Sequence, residues 1–169
     1  MSIIYSIPDQ QWQKTGISEY TFVKKAGGII FNRNLDKVIL VLNKQSYNKG
    51  ENKWGLPKGH LEKEEKLCKC AMREIHEETG LEITILPQHR CIKINNSYYY
   101  IIILNINKKI DLNPLDNEEI IYSRWTDLRK IPELNQNYDT RSVFKESKLQ
   151  KIKDIIDSQK SKLLINIEV

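Results

Sequence analysis

Glu74, Glu77 and Glu78 crowd into five consecutive residues. With Glu74 at zero on a helical wheel, Leu67 sits at about +20°, Cys70 at about −40°, Ala71 at about +60°, Glu77 at about −60° and Glu78 at about +40°. A stripe that begins apolar therefore ends in three carboxylates spread over roughly 100° of arc. Like charges three and four residues apart destabilise a helix by a few tenths of a kcal/mol per pair. Acids near a helix C-terminus also oppose the macrodipole. Partial burial would cost far more unless a cation were present. A divalent cation would offset these costs, and hard oxygen ligands on one face suit Mg²⁺ or Mn²⁺ rather than zinc. The alternative is a solvated acidic face with Lys69 and Arg73 as surface partners.

The neighbouring residues weigh against that alternative. From Gly59 the chain runs five residues to Glu65, seven more to Arg73-Glu74, then Ile75, one residue, Glu77-Glu78, one residue, Gly80 and Leu81. This 23-residue pattern, with nine constrained positions, resembles the Nudix box. The similarity extends from about Tyr20 to Ile131 and includes Trp54-Gly55-Leu56-Pro57-Lys58-Gly59. The resemblance implies a mixed sheet sandwiched between helices and metal-dependent hydrolysis of a diphosphate. It implies that Glu74, Glu77, Glu78 and the Gly59 carbonyl bind Mg²⁺ or Mn²⁺, or that Glu74 serves as or orients the general base. Arg73 would hold the glutamates, Glu65 would anchor the loop or assist a metal, and Gly59 and Gly80 would permit the turns at either end. A further catalytic glutamate in the family often precedes a late strand. Glu118 and Glu119, ahead of Trp125, occupy such a place, with Glu119 the candidate and a surface acidic turn the alternative.

The box defines a chemistry and leaves the substrate open. Asn34–Val41, Lys63-Glu64-Glu65 and residues 98–134 resemble the mRNA-decapping branch, which implies capped RNA as substrate. Pro57-Lys58-Gly59-His60 followed by Leu61-Glu62 is closer to dinucleoside tetraphosphate hydrolases, since decapping enzymes usually carry Lys at the position of His60. Diphosphoinositol polyphosphates, and an inactive module that binds nucleotide or RNA without cutting it, are further alternatives. Lys58, Lys25 and Trp54 are the candidate substrate-binding side chains. Trp54 could stack a base, whereas Tyr98–Tyr100 read as core. Residues 141–169 hold seven Lys/Arg against four Asp/Glu, and Lys145, Lys148, Lys151 and Lys153 could meet RNA phosphates or simply form a solvated face.

The elements that must position these residues follow from pattern. Residues 20–31 and 37–42 read as strands joined at Asn32-Arg33-Asn34, and residues 43–59 as a long loop. A helix over 65–79 stops at Gly80. Residues 81–94 and 98–106 read as strands turned at Asn95-Asn96-Ser97, with a further strand over 120–126. Tyr98, Tyr100, Ile102 and Leu104 share one face and Tyr99, Ile101 and Ile103 the other, as in a central strand covered on both sides. Residues 140–160 read as one amphipathic helix, with Val143, Leu149, Ile152, Ile155 and Ile156 at near-helical spacing. The class is α/β or α+β, with helices on both faces of the sheet.

Length and composition allow one domain over 1–169, with 1–19 as an N-terminal extension and 140–162 as a basic C-terminal helix. Ile (25), Lys (21) and Asn (14) make up about a third of the chain, a bias that reads as AT-rich coding rather than chemistry. Hydrophobic residues at 40% exclude a disordered chain. Three cysteines without pairing or zinc spacing suit a reducing compartment. The longest apolar run, Tyr98–Leu104, is far too short to span a membrane. With no basic region before the first apolar residues, the expectation is a cytoplasmic protein. A net charge of +5 favours solubility or an anionic partner such as a nucleotide polyphosphate or RNA. Oligomeric state is left open.

Overall fold

A computed structural model describes residues 4–5, 25–86, 89–106 and 110–166. Its centre is a parallel pair, β2 (Lys25–Asn32) against β7 (Ser97–Leu104), in register from Lys25↔Ser97 to Asn32↔Leu104. β6 (Cys91–Ile94) continues the sheet beyond β7, and β1 (Ile4–Tyr5) pairs with β6. The remainder of residues 1–19, and residues 20–24 of the first expected strand, lie outside the described residues.

The other edge of β2 is divided between two strands. β3 (Lys37–Asn43) takes its C-terminal end through Phe31↔Val38. β5 (Lys58–His60) takes its N-terminal end through Lys25↔His60, Ala26↔Gly59 and Gly27↔Lys58. β3 then carries β4 (Trp54–Gly55) and β8 (Ile120–Asp127) on its far side. A short β9 (Leu164–Ile165) lies beside the end of β7.

Helices cover both faces. α2 (Leu67–Thr79) packs on Ala26, Ile30, Ile39, Tyr98, Tyr100 and Ile102. On the other face Ile29, Phe31, Leu40, Tyr99, Ile101 and Ile103 meet α3 (Tyr138–Val143) and α4 (Glu146–Leu163). All of β7 is buried, tyrosines included, as its two apolar faces require. Each such side chain contributes about 1.5–3 kcal/mol, against about 0–1 for an exposed ion pair, so this double-sided burial carries the fold. No helix among the described residues is long and apolar enough to cross a membrane.

Three expectations need correction. Residues 81–86 are not a strand, and pairing begins only at Cys91 (residues 87–88 lie outside the described residues). Leu81, Ile83 and Ile85 do alternate into the core beside α2, but alternation reports one-sided burial and not a ladder. The Ile85 N–H donates instead to Met72 Sδ at 3.2 Å. The helix over 140–160 is two helices, because Lys145 is extended (φ −62°, ψ 138°) and Val143 belongs to the first of them. The expected loop over 43–59 holds α1 (Lys44–Asn48) as well as β4 and the start of β5. Asn43 caps α1, its side chain accepting the Gln45 N–H at 2.8 Å.

Two positions yield tests of the fold. Gly80 closes α2 in the left-handed region (φ 77°), and a Cβ there would lie 2.5 Å from the Asn113 carbonyl oxygen. Gly80→Ala should therefore cost about 1–3 kcal/mol, read as a lowered urea midpoint. His89 is buried and accepts the Leu86 N–H on Nδ1 at 2.7 Å. Burial pushes its imidazole below the ordinary value of 6.5, against a smaller opposing effect of the Leu86 carbonyl, 3.2 Å from Nδ1. The native ring stays neutral while the unfolded ring takes up a proton near 6.5, so its contribution to stability is present above that pH and lost below it. From pH 7 to pH 5 the native urea midpoint should fall relative to that of His89→Gln, whose slope lacks the imidazole's contribution. An unchanged slope in the variant would refute the assignment.

Candidate active site

The apolar stripe of α2 turns acidic where the helix passes β5. Leu67, Cys70, Ala71 and Ile75 are buried, and one turn on Glu74 and Glu78 remain only 8% and 5% exposed. β5 makes room for them by offering backbone. A Cβ on Gly59 would fall 2.1 Å from the Glu74 carboxylate, so any larger residue there would push that carboxylate out of its place. The Lys58 N–H donates to Glu78 Oε2 at 2.9 Å.

Arg73 spends its donors on the same group. Nε and Nη2 hold Glu65 in a fork, at 2.9 Å to Oε1 and 2.9 Å to Oε2. Nη1 donates to Glu74 Oε1 at 2.7 Å and Glu77 Oε2 at 3.1 Å, and Nη2 to the His60 carbonyl at 2.9 Å. Glu65 also accepts the Glu62 N–H at 3.0 Å, which closes the turn before α2. Burial works to raise the Glu65 carboxyl, but these bonds outweigh it and hold it below the usual range.

A second loop is delivered by the end of the helix. The last turn of α2 leaves carbonyls without intrahelical partners. Thr79 O accepts the Asn113 N–H at 3.0 Å, and Glu77 O accepts those of Leu115 and Asp116 at 2.8 and 3.0 Å. Asp116 Oδ1 then accepts the N–H groups of Glu118 and Glu119, both at 3.0 Å. Glu119 thereby comes close enough for its charge to act on Glu74 and Glu78. Glu118 points away, 96% exposed and 3.6 Å from Lys44 Nζ. Of the two acidic candidates, the loop brings only Glu119 to the cluster.

Glu65, Glu74, Glu77, Glu78 and Glu119 thus gather near the Arg73 guanidinium, far more negative than positive charge. Burial pushes Glu74 above the ordinary carboxylate range against Arg73, and Glu77 and Glu119 add to the rise. Burial pushes Glu78 further up against the Lys58 N–H bond, with Glu74 and Glu119 adding to it. Carboxylates with a nearby carbonyl are the donor set that suits a hard divalent cation. Among the described residues no three side chains converge as a closed metal cage, since Arg73 takes an oxygen of both Glu74 and Glu77. Cys70 Sγ lies 3.6 Å from the Gly59 carbonyl, and burial with Glu65 and Glu74 pushes its thiol up to about 12, so it stays protonated and is a poor ligand.

The three expected substrate-binding side chains sit in different surroundings. Trp54 is not an open loop side chain but a core residue, 9% exposed, with the Arg124 guanidinium 3.9 Å above its ring, so that face is closed to a base. The Lys58 side chain leaves β5 on the face opposite Gly59 and pairs with Asp139 at 2.8 Å, so its ammonium is already engaged. Lys25 is half-buried, opposite His60 at the start of β2. Sequence reading missed Asp139, although Asn137 ahead of Thr140 was a visible cap signal.

The NUDIX domain family profile matches residues 21–146. "Putative hydrolase 111R" of Invertebrate iridescent virus 3 is 34% identical over 127 residues, covering 74% of this chain and 71% of its own. The m7GpppN-mRNA hydrolase of Saccharomyces cerevisiae is 30% identical over 109 residues, 62% of this chain but 11% of that enzyme. The chain thus spans most of the viral protein and a small part of the yeast one. The fold matches a Caenorhabditis elegans Ap4A hydrolase with a TM-score of 0.58 at 19% identity, over 80% of this chain and 99% of that one.

Burial disfavours the charge of both Glu74 and Glu78, and the bonds from Arg73 and the Lys58 N–H do not overcome it, so removing one charge should relieve the fold. Glu78→Gln should raise the stability of the metal-free chain by about 0.5–2 kcal/mol. Mn²⁺ should raise the thermal midpoint of the native chain and leave that of the variant unmoved. A variant no more stable than the native chain, or still stabilised by Mn²⁺, would contradict this account.

Proposed function

The chain belongs to the Nudix family, and on that premise we propose that it is a Mg²⁺- or Mn²⁺-dependent hydrolase of nucleotide-linked polyphosphates whose substrate is the 5′ cap of mRNA. It is a Nudix pyrophosphohydrolase by family. The observation that carries the metal dependence is the packing of Glu74 and Glu78 against a glycine and a backbone N–H, with Glu77 and Glu119 adding charge that, among the described residues, the Arg73 bonds and the charge of Lys58 offset only in part. Glu74, Glu77, Glu78 and the Gly59 carbonyl would hold the ions. A bound divalent cation supplies charge neutralisation for the phosphates and a water of lowered pKa. Arg73 keeps Glu65, Glu74 and Glu77 in one arrangement, and Glu65 ties the start of α2 to its end. Glu119 is a candidate proton acceptor for the attacking water: exposed, and placed by Asp116 beside the cluster.

Capped RNA is favoured over dinucleoside tetraphosphate by the kind of likeness on each side. The yeast m7GpppN-mRNA hydrolase is a relative in sequence, whereas the Ap4A hydrolase shares the fold at an identity that carries no substrate. Exposed Lys145, Lys151 and Lys153 on and beside α4 are available to RNA phosphates.

The test is a panel of cap-labelled RNA, a dinucleoside tetraphosphate, a nucleoside diphosphate sugar and a diphosphoinositol, each with Mg²⁺ and Mn²⁺. The expected result is release of 7-methylguanosine diphosphate from long RNA, weak inhibition by free cap dinucleotide, and loss of activity with rising salt. Faster cleavage of the tetraphosphate or of the diphosphoinositol would move the substrate to that class. Glu78→Gln should lower turnover at least about a hundredfold and Glu119→Gln about 10–100-fold. No turnover of any member by the native chain would leave a binding module.

A further inference from the structure

On the face of the sheet away from α2, four polar side chains meet at Asp139: buried Tyr99, half-buried Lys58 and exposed Asn95 surround the buried carboxylate. Asp139 Oδ2 accepts Lys58 Nζ at 2.8 Å and the Tyr99 hydroxyl at 2.5 Å, and Oδ1 accepts Asn95 Nδ2 at 2.9 Å. Asp139 is 8% exposed and Tyr99 fully buried. A charged group so placed is costly unless its bonds are filled, and here they are. Burial acts to raise the Asp139 carboxyl, but the bonds from Lys58 and Tyr99 hold it below the usual range.

What this cluster holds is a single peptide unit. The Pro57 carbonyl accepts the Gly28 N–H at 3.1 Å, and across the same peptide bond the Lys58 N–H donates to Glu78 Oε2 at 2.9 Å. The plane of that peptide aims the amide at Glu78, and the Lys58 side chain fastens it from behind. α3 grips the same stretch a second time. The Asn137 N–H donates to the Trp54 carbonyl at 2.9 Å, and Asn137 Nδ2 lies 2.3 Å from where a Gly55 Cβ would stand.

We propose that Asp139, through Lys58, is a positioning residue for Glu78: the ion pair on one face of the sheet sets the backbone amide that orients a metal-gripping carboxylate on the other. The proposal rests on the metal-dependent reading given under Proposed function. Neither Asp139 nor Lys58 meets the ion or the substrate.

The test uses Asp139→Asn, Tyr99→Phe, Lys58→Met and the Asp139→Asn/Lys58→Met double variant, with Glu78→Gln alongside. Mn²⁺ affinity is read from the EPR signal of free manganese, apart from any turnover, and kcat and KM are measured on the best substrate of the panel. Asp139→Asn should weaken Mn²⁺ binding about tenfold and lower kcat about tenfold with KM little changed, the usual scale for a group behind a ligand. Tyr99→Phe, which keeps the ion pair and removes one bond to Asp139, should shift both in the same direction by about threefold, and it carries the test if Asp139→Asn fails to fold. The double variant should lose no more than Lys58→Met alone, because the two act through one path. Mn²⁺ affinity within about twofold of native in Asp139→Asn and Tyr99→Phe, with only the thermal midpoint lowered, would make the cluster purely structural and overturn the proposal. Additive losses in the double variant would also overturn it. Should Glu78→Gln itself bind Mn²⁺ as tightly as the native chain, the metal-dependent reading fails first. Loss of binding in Glu78→Gln with none in Asp139→Asn defeats the positioning role alone.

Discussion

The arrangement depends on carboxylates resting on bare backbone. Glu74 occupies the space that a side chain at position 59 would fill, and Glu78 leans on the Lys58 N–H. The glycine at 59 puts no side chain between helix and strand there, so Glu74 and Glu78 are both buried against β5 backbone. Removing the acids from water disfavours their charge; Glu74 raises Glu78 further, and Glu119 raises both. Arg73 relieves part of this with bonds of the charge-assisted kind, worth about 1.5–3 kcal/mol each, but it also serves Glu65 and the His60 carbonyl. A deficit of positive charge is therefore built in, and it follows from packing rather than from any one residue.

Three parts of the fold converge on that pocket. The split edge of β2 lets β5 lie beside Ala26 and Gly27, which fixes the height of Gly59 under α2. The open carbonyls at the end of α2 capture residues 113–116 and bring Glu119 in. α3 holds residues 54–58 from the far face, through Asn137 and Asp139. Each link is a buried or backbone hydrogen bond, so the site is positioned by rigid elements and not by long exposed side chains.

Much of this was legible in the chain. The two-faced apolar run Tyr98–Leu104 placed a central strand correctly, because a strand buried on both sides has no polar alternation to lose. The stripe from Leu67 into Glu74 and Glu78 gave helix, facing and acidic end together, since one period governs all three. The Arg73 clamp was readable only through family likeness. Trp54 and Lys58 read as loop residues because a Gly/Pro-rich stretch looks like a loop, while here its backbone is paired in β4 and β5. Asp139 escaped notice because its partners Asn95, Tyr99 and Lys58 are distant in sequence, and no local pattern records a contact made across a sheet.

The parallel pairing of β2 with β7 has a further consequence. Its two strands are separated by all of α1, α2 and the residues of the acidic motif. A parallel pair closed over so long a stretch must meet the loop-closure entropy before any contact rewards it, which slows folding. While a ribosome is still extending the chain, α2 has no Tyr98–Leu104 strand to pack on and the glutamates have no fixed neighbours. Assembly of the acidic pocket is thus a late event of folding, gated by long-range topology rather than by the helix that bears the glutamates.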